Sequence, residues 1–268
     1  MADSSKLAFC LRRPYASLPV RTMNMPIPSV QSKAVIDPAD RLIVALDVPS
    51  ADQARAIVDQ LGDAVRFYKI GLELFMSGNY FELLDWLIAR NKKVFVDLKF
   101  FDVPETVRSA VRALSSSGAT FATIHGNQAI MEAAGADKGA LKILAVTVLT
   151  SLDRGDLDDL GFACDVDALV LSRARRALAA GCDGVVSSGL EAPQIRAELG
   201  ERILVVTPGI RPVENRPVDD QKRTVDVAQA LANGADYLVV GRPIRNAADP
   251  VAAAWRMQEQ IAQALVQR

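Results

Sequence analysis

Asp97, Lys99 and Asp102 form a D-x-K-x-x-D pattern inside VFVDLKFFDVPETV, the stretch of this chain most able to do chemistry. Lys69 in YKIG supplies a second cation and Asp47 in ALDV a further carboxylate. An unpaired charge is very costly to bury, so alternating lysines and aspartates let a protein keep several charges together in a partly dry cleft. Opposite charges nearby also favour the charged form of each partner. A lysine held protonated and in place is a general acid. Asp97 stands within a Val/Phe/Leu run, where a carboxylate is seldom buried without a reason.

A different signal lies in the second half of the chain. Gly209 and Arg211 in VTPGIR, and Gly241 and Arg242 in VVGRPI, pair a glycine with a guanidinium. Backbone N–H groups at a glycine turn can cradle a phosphate, and an arginine can add a forked, charge-assisted pair. Residues 208–223 (PGIRPVENRPVDDQKR) form a long, charged, proline-rich connection. They read as a lid, with Gln221 able to bridge from lid to ligand. Thr150 and Ser151 in VLTS offer hydroxyls suited to the edge of a heterocycle, although a helix N-cap is an equal reading. His125 is the single histidine of the chain. An acid–base role is open to it, but a packed, hydrogen-bonded histidine is the favoured reading. With one histidine, and with Lys69 and Lys99 repelling a cation, no metal is expected.

These residues need elements to hold them. Eight short β-branched runs alternate with helical patterns: Leu42 to Val48, Arg66 to Gly71, Lys93 to Lys99, Ala119 to His125, Leu141 to Val148, Asp183 to Ser187, Ile203 to Thr207 and Asp236 to Gly241. Between the first two, Ser50 and Gln53 suggest a capping box, and Ala54, Ile57, Val58 and Leu61 give a helical stripe. After the third, Pro104 suits a first helical turn, Val107, Val111 and Leu114 share a face, and Gly118 follows the end. Phe81 and Trp86 sit at helical spacing and read as core. Strand–helix units of this number and order predict an α/β fold, a (β/α)8 TIM barrel, over residues 39–268. In that fold chemistry gathers where strands end, and here the strands run out at Asp47, Lys69, Asp97 with Lys99, and His125. Alternation along a strand places Asp97 and Lys99 on one face above Phe95.

Residues 1–38 differ, mixing Arg12, Arg13 and Arg21 with Pro14, Pro19, Pro26 and Pro28 without sustained periodicity. They read as a disordered N-terminal extension, consistent with translation starting upstream of Met23 or Met25. Those prolines interrupt any amphipathic targeting helix. The 268 residues are 50% hydrophobic and 24% charged, which excludes a disordered or collagen-like chain. With 31 basic against 32 acidic residues, no global field draws the chain to nucleic acid or an anionic membrane. Three scattered cysteines, Cys10, Cys164 and Cys182, make no disulfide framework. A cytoplasmic protein without a membrane span is expected.

In order along the chain, ALDV, KIG, DLKFFDVPETV, VLTS, TPGIRP, DDQKR and VGRPI resemble the motifs of the orotidine 5'-phosphate decarboxylases of bacterial type. That resemblance spans roughly residues 38 to 265. It implies a cofactor-free homodimer that converts orotidine 5'-phosphate to UMP and carbon dioxide. It further implies that Lys99 protonates C6 of the pyrimidine, that Asp97 sits beside the substrate carboxylate, and that Lys69 organises the charges. Asp47, Thr106 and the partner's Asp102 would contact the ribose. Arg211, Gln221, Gly241 and Arg242 would hold the phosphate, and Thr150 or Ser151 would meet the pyrimidine.

This chain departs from the family pattern at Phe101, usually His, and at Glu105, usually Asn, and GNQAIMEAA after His125 lacks the usual paired glycines. None of these is a charged member of the cluster. A related magnesium-using sugar-phosphate branch shares D-x-K-x-x-D but resembles Glu-Val-Gly where this chain has Lys69-Ile70-Gly71. Lys69 argues against that reading. A non-catalytic nucleotide-binding barrel would keep the phosphate motifs and lose the charge cluster.

Overall fold

The computed structural model describes residues 35–211 and 224–266. Eight parallel strands close into a barrel in chain order: β1 Leu42–Ala45, β2 Phe67–Gly71, β3 Lys93–Phe100, β4 Phe121–His125, β5 Lys142–Val146, β6 Gly184–Val186, β7 Leu204–Thr207 and β8 Tyr237–Val240. Register pairs such as Lys69 with Phe95 and Val44 with Val240 carry the ladder around and shut it. All eight expected strands are present, most of them one to three residues shorter. The helices follow as α1 Ala51–Leu61, α2 Leu72–Met76, α3 Tyr80–Ala89, α4 Pro104–Ser115, α5 Gln128–Ala136, α6 Arg154–Asp159, α7 Val166–Ala179, α8 Ala192–Leu199, α9 Val227–Ala232, α10 Arg242–Arg245 and α11 Pro250–Val266.

Two apolar layers result, because a parallel strand in a barrel is buried on both faces. The outer layer joins strand residues such as Val44, Ile70 and Val96 to the inward stripes of the helices, including Ala54, Val58 and Leu61 of α1 and Val107, Val111 and Leu114 of α4. Ser50 caps α1 by accepting the Gln53 N–H. The inner layer fills the barrel with Ile43, Ala45, Phe67, Phe95, Phe121, Leu144, Val206 and Tyr237 among others. Phe121 packs against Phe67, Phe95 and Tyr237 at centroid separations of 5.1, 5.9 and 5.0 Å. Those rings sit toward the strand N-termini, so the polar positions one or two pleats further on face the opposite mouth. Ile36 already packs against this inner layer, ahead of residue 39. Phe81 departs from the expectation of a core residue. It is exposed, while Trp86 on the same helix is partly buried and stacks under Arg90, its ring 3.8 Å from the guanidinium. Phe81 follows Tyr80, whose ring faces inward and whose hydroxyl donates to the Ile70 carbonyl, so its own side chain is turned outward.

The floor is pinned by aspartates that precede strands. Asp183 accepts the Ile143 N–H and the Lys138 ammonium, and Asp236 accepts the Val205 N–H and the Arg196 guanidinium. Arg196 also donates to the carbonyls of Gly234, Gly200 and Ile203, each at 2.8 Å. A Cβ on Gly234 would lie 2.4 Å from the Arg196 side chain, so only glycine leaves room for this clamp. Asp236 is buried, and Arg196→Met takes a largely buried cation away from it. The substitution should therefore cost about 3–5 kcal/mol of stability. A thermal melt should fall by roughly 10 °C, and an unchanged midpoint would show that the clamp contributes nothing.

Candidate active site

The strand ends bring the expected charges into one alternating row. Lys69, on the inward face of β2, donates to Asp47 Oδ1 at 2.8 Å and lies 3.4 Å from Asp97 Oδ2. Lys99 Nζ donates to Asp97 Oδ1 at 2.9 Å. Asp47–Lys69–Asp97–Lys99 thus runs with each cation between carboxylates or at the end of the row. Burial alone would lower the Lys69 pKa, but Asp97 and Asp47 outweigh it and hold the ammonium above its usual range. Burial alone would likewise raise Asp97, yet Lys69 and Lys99, with hydrogen bonds from Lys99 and Thr123, hold the carboxyl below its usual range. Both therefore stay ionised at neutral pH. Gly71 is part of the same construction, because a Cβ there would meet Lys69 Nζ at 3.2 Å and Asp47 Oδ1 at 3.5 Å.

Lys99 reaches its place through an irregular strand. Val96 pairs with Ala122 but Phe100 with Ile124, so β3 spends four residues where β4 spends two. Lys99 absorbs the excess in a left-handed conformation, φ +49°. For a residue with a Cβ this costs roughly 1–2 kcal/mol. The buried Thr123 hydroxyl accepts the Lys99 N–H at 3.0 Å and donates to Asp97 Oδ1 at 2.8 Å. Side-chain parity survives this bulge, and Asp97 and Lys99 do point together.

Around the row lies a cavity of about 420 Å³. Its walls include Thr150 and Ser151 after β5, Gly209 and Arg211 after β7, and Gly241, Arg242 and Arg245 after β8, with Val146, Val148 and Val186 as apolar lining. Thr150 and Ser151 do not cap the helix that follows. Asp153 does so, accepting from the Gly155 and Asp156 N–H groups while Asp156 returns the bond. Arg211 is buried, and its backbone N–H bonds to the Val225 carbonyl. Gln221 and residues 212–223 of the expected lid lie outside the described residues.

Asp102 and Thr106 are not drawn into this cavity. Both are exposed, and Asp102 Oδ1 accepts the N–H of the adjacent Val103 at 2.6 Å. His125 is packed as expected, edge-on to Phe101 at 5.5 Å, but it is not hydrogen-bonded as expected: its buried Nδ1 has no partner among the described residues. Burial, then Arg173 and Lys99, hold its pKa below the usual range, which leaves the ring neutral. Sequence reasoning missed Thr123, whose inward parity in FATIH was the available signal. It also missed Arg245, three residues beyond Arg242 and so on the same helical face. Arg245 makes no ion pair among the described residues, and its Nε is sealed from solvent without an acceptor.

Among the described residues no helix is long and apolar enough to cross a membrane, and Cys164 and Cys182 are free thiols. The chain is 69% identical over 235 residues to an orotidine 5'-phosphate decarboxylase of Methylococcus capsulatus, covering 88% of this chain and 97% of that protein. A namesake from Stenotrophomonas maltophilia is 55% identical over 232 residues, covering 85% and 95%. Among solved structures, the orotidine 5'-phosphate decarboxylase of Lactobacillus acidophilus superposes with a TM-score of 0.73 at 34% identity, covering 83% of this chain and 99% of that one. The family model described as orotidine 5'-phosphate decarboxylase / HUMPS family matches residues 40–257. With its barrel, its charge row and these relatives in agreement, the chain belongs to the orotidine 5'-phosphate decarboxylase / HUMPS family.

Proposed function

We propose that this protein is a cytoplasmic enzyme of pyrimidine biosynthesis that decarboxylates orotidine 5'-phosphate to UMP. The observation that carries the reading is the alternating row Asp47–Lys69–Asp97–Lys99 in a cavity whose lining also holds guanidiniums. Asp97 stands beside the substrate carboxylate and disfavours it. As the C6–carboxylate bond breaks, the electron pair stays on C6 and carbon dioxide leaves. Lys99 Nζ then delivers its proton to C6, and solvent restores it. Lys69 holds Asp97 and Asp47 in place. Asp47, Thr106 and the partner's Asp102 meet the ribose, and Thr150 or Ser151 meets the pyrimidine. Arg211, Gln221, Gly241 and Arg242 take the phosphate, with Arg245 as an additional cation. Phosphate binding, remote from the breaking bond, contributes to transition-state stabilisation.

A homodimer accounts for the surface around Asp102. Leu72, Phe75 and Met76 on α2 after β2, and Phe101 and Val103 in the segment after β3, are exposed apolar side chains. Apolar groups gathered in this way mark an interface. The test of the function is direct: purified protein with orotidine 5'-phosphate should convert the orotate absorbance to that of uracil and yield UMP, equally well in EDTA. No turnover would overturn the reading. Turnover of a sugar phosphate that stops in EDTA and returns with magnesium would replace it.

The phosphate end gives a second expectation. Arg242→Ala should lower kcat/KM by about 30-fold, the equivalent of about 2 kcal/mol for one charge-assisted contact. With the nucleoside orotidine, which has no phosphate, parent and variant should behave alike. Equal kcat/KM on the full substrate would put the phosphate elsewhere.

A further inference from the structure

We infer that Thr123 is a positioning residue of the decarboxylation, setting the place of Lys99 through one hydroxyl that binds both the Lys99 backbone and the Asp97 side chain. The inference rests on the function proposed above and adds a residue to its machinery. Thr123 is fully buried at the middle of β4 and touches neither the cavity nor the described solvent surface. Its hydroxyl oxygen accepts the Lys99 N–H at 3.0 Å, and its proton goes to Asp97 Oδ1 at 2.8 Å. The same Asp97 oxygen accepts Lys99 Nζ at 2.9 Å. Lys99 is therefore tied at both ends, by its amide and by its ammonium, into a closed ring of three hydrogen bonds.

The bulge explains why such a tie is needed. In a regular parallel ladder the amide of a β3 residue would find a carbonyl of β4. Here the register jumps between Val96 and Phe100, and Lys99 sits at φ +49°, a conformation that a lysine does not hold unaided. A buried N–H without an acceptor is unfavourable, and the threonine hydroxyl takes the place of the missing carbonyl. Both hydrogen-bonding capacities of that hydroxyl are used, one as acceptor and one as donor. The β-branch adds a further constraint by restricting χ1 in a strand, so the oxygen does not wander. Valine has the same shape and neither capacity. Serine keeps both capacities with a freer χ1.

Thr123→Val and Thr123→Ser separate this role from simple packing. The valine variant should lose kcat by about 10- to 100-fold while KM and the affinity for UMP stay within about 3-fold, because the phosphate cations are untouched. The serine variant should return to within about 5-fold of the parent kcat. A packing role would give the reverse, since valine fills the site and serine leaves a void. Hydrogen exchange supplies a readout that does not depend on activity. Protection of the Lys99 amide should fall by at least about 10-fold in Thr123→Val and hold in Thr123→Ser. If the valine variant does not fold, Thr123→Ala is read in the same way. Unchanged Lys99 protection, or a valine variant with the parent's kcat, overturns the inference. An inactive parent overturns the proposed function instead, and the exchange measurement still decides the role of Thr123.

Discussion

Lys99→Ala is expected to lower turnover by at least about 10³- to 10⁴-fold, the scale of a lost general acid, while the protein still folds and binds UMP. No other cation on the row can deliver the proton. Lys69 is committed to Asp47 and Asp97 on the far side of Asp97 from Lys99. The fold should survive for two reasons. Asp97 keeps Lys69 and the Thr123 hydroxyl as partners, so its carboxylate is not stranded. Alanine also meets φ +49° with much the same Cβ penalty as lysine, so the backbone strain hardly changes. Absorbance loss on orotidine 5'-phosphate measures the first half of the prediction and a UMP titration the second. Turnover within a few-fold of the parent would remove Lys99 from the mechanism.

Mixing two dead enzymes is expected to restore about a quarter of the parent activity. Asp102 belongs to the D-x-K-x-x-D pattern yet stands exposed outside its own cavity, with one carboxylate oxygen accepting the N–H of Val103. If it completes the site of the other subunit, Lys99→Ala and Asp102→Ala homodimers are both inactive. Subunit exchange then produces hybrids in which one site lacks both residues and the other has both. Random exchange makes half of the dimers hybrid with one competent site in two, hence about a quarter of all sites. Native mass spectrometry reports the exchange. Exchange without recovery would return Asp102 to its own subunit.

The strands were legible because parallel strands buried on both faces read as unbroken apolar, β-branched runs, from LIVA in β1 to YLVV in β8. Their ends were less so, since Asp47 lies two residues past the last ladder position of β1 although it continues the same apolar run. Asp97 and Lys99 were legible as a pair because the two-residue side-chain period outlasts the bulge between Val96 and Phe100. The bulge itself was not, as nothing in VDLKF announces a left-handed lysine. Thr123 was hidden for a related reason: threonine in a strand is ordinary, and only the neighbouring irregularity gives its hydroxyl a task. Arg245 was not singled out, because in RPIR only its three-residue spacing from Arg242 marks it. Phe81 was misread because helical spacing tells which residues share a face but not which way that face turns.

Phe67, Phe95, Phe121 and Tyr237, ring against ring across the barrel, make the structure a cup and not a pipe. Nothing as large as a nucleotide passes through that floor, so arrival and departure share the strand-C-terminal mouth. Substrate, carbon dioxide and UMP must then use one doorway in sequence, and the loops after β5, β7 and β8 that frame it act on exit as much as on entry. Turnover should accordingly slow as solvent viscosity rises whenever the departure of UMP, not the bond cleavage, is the slowest event.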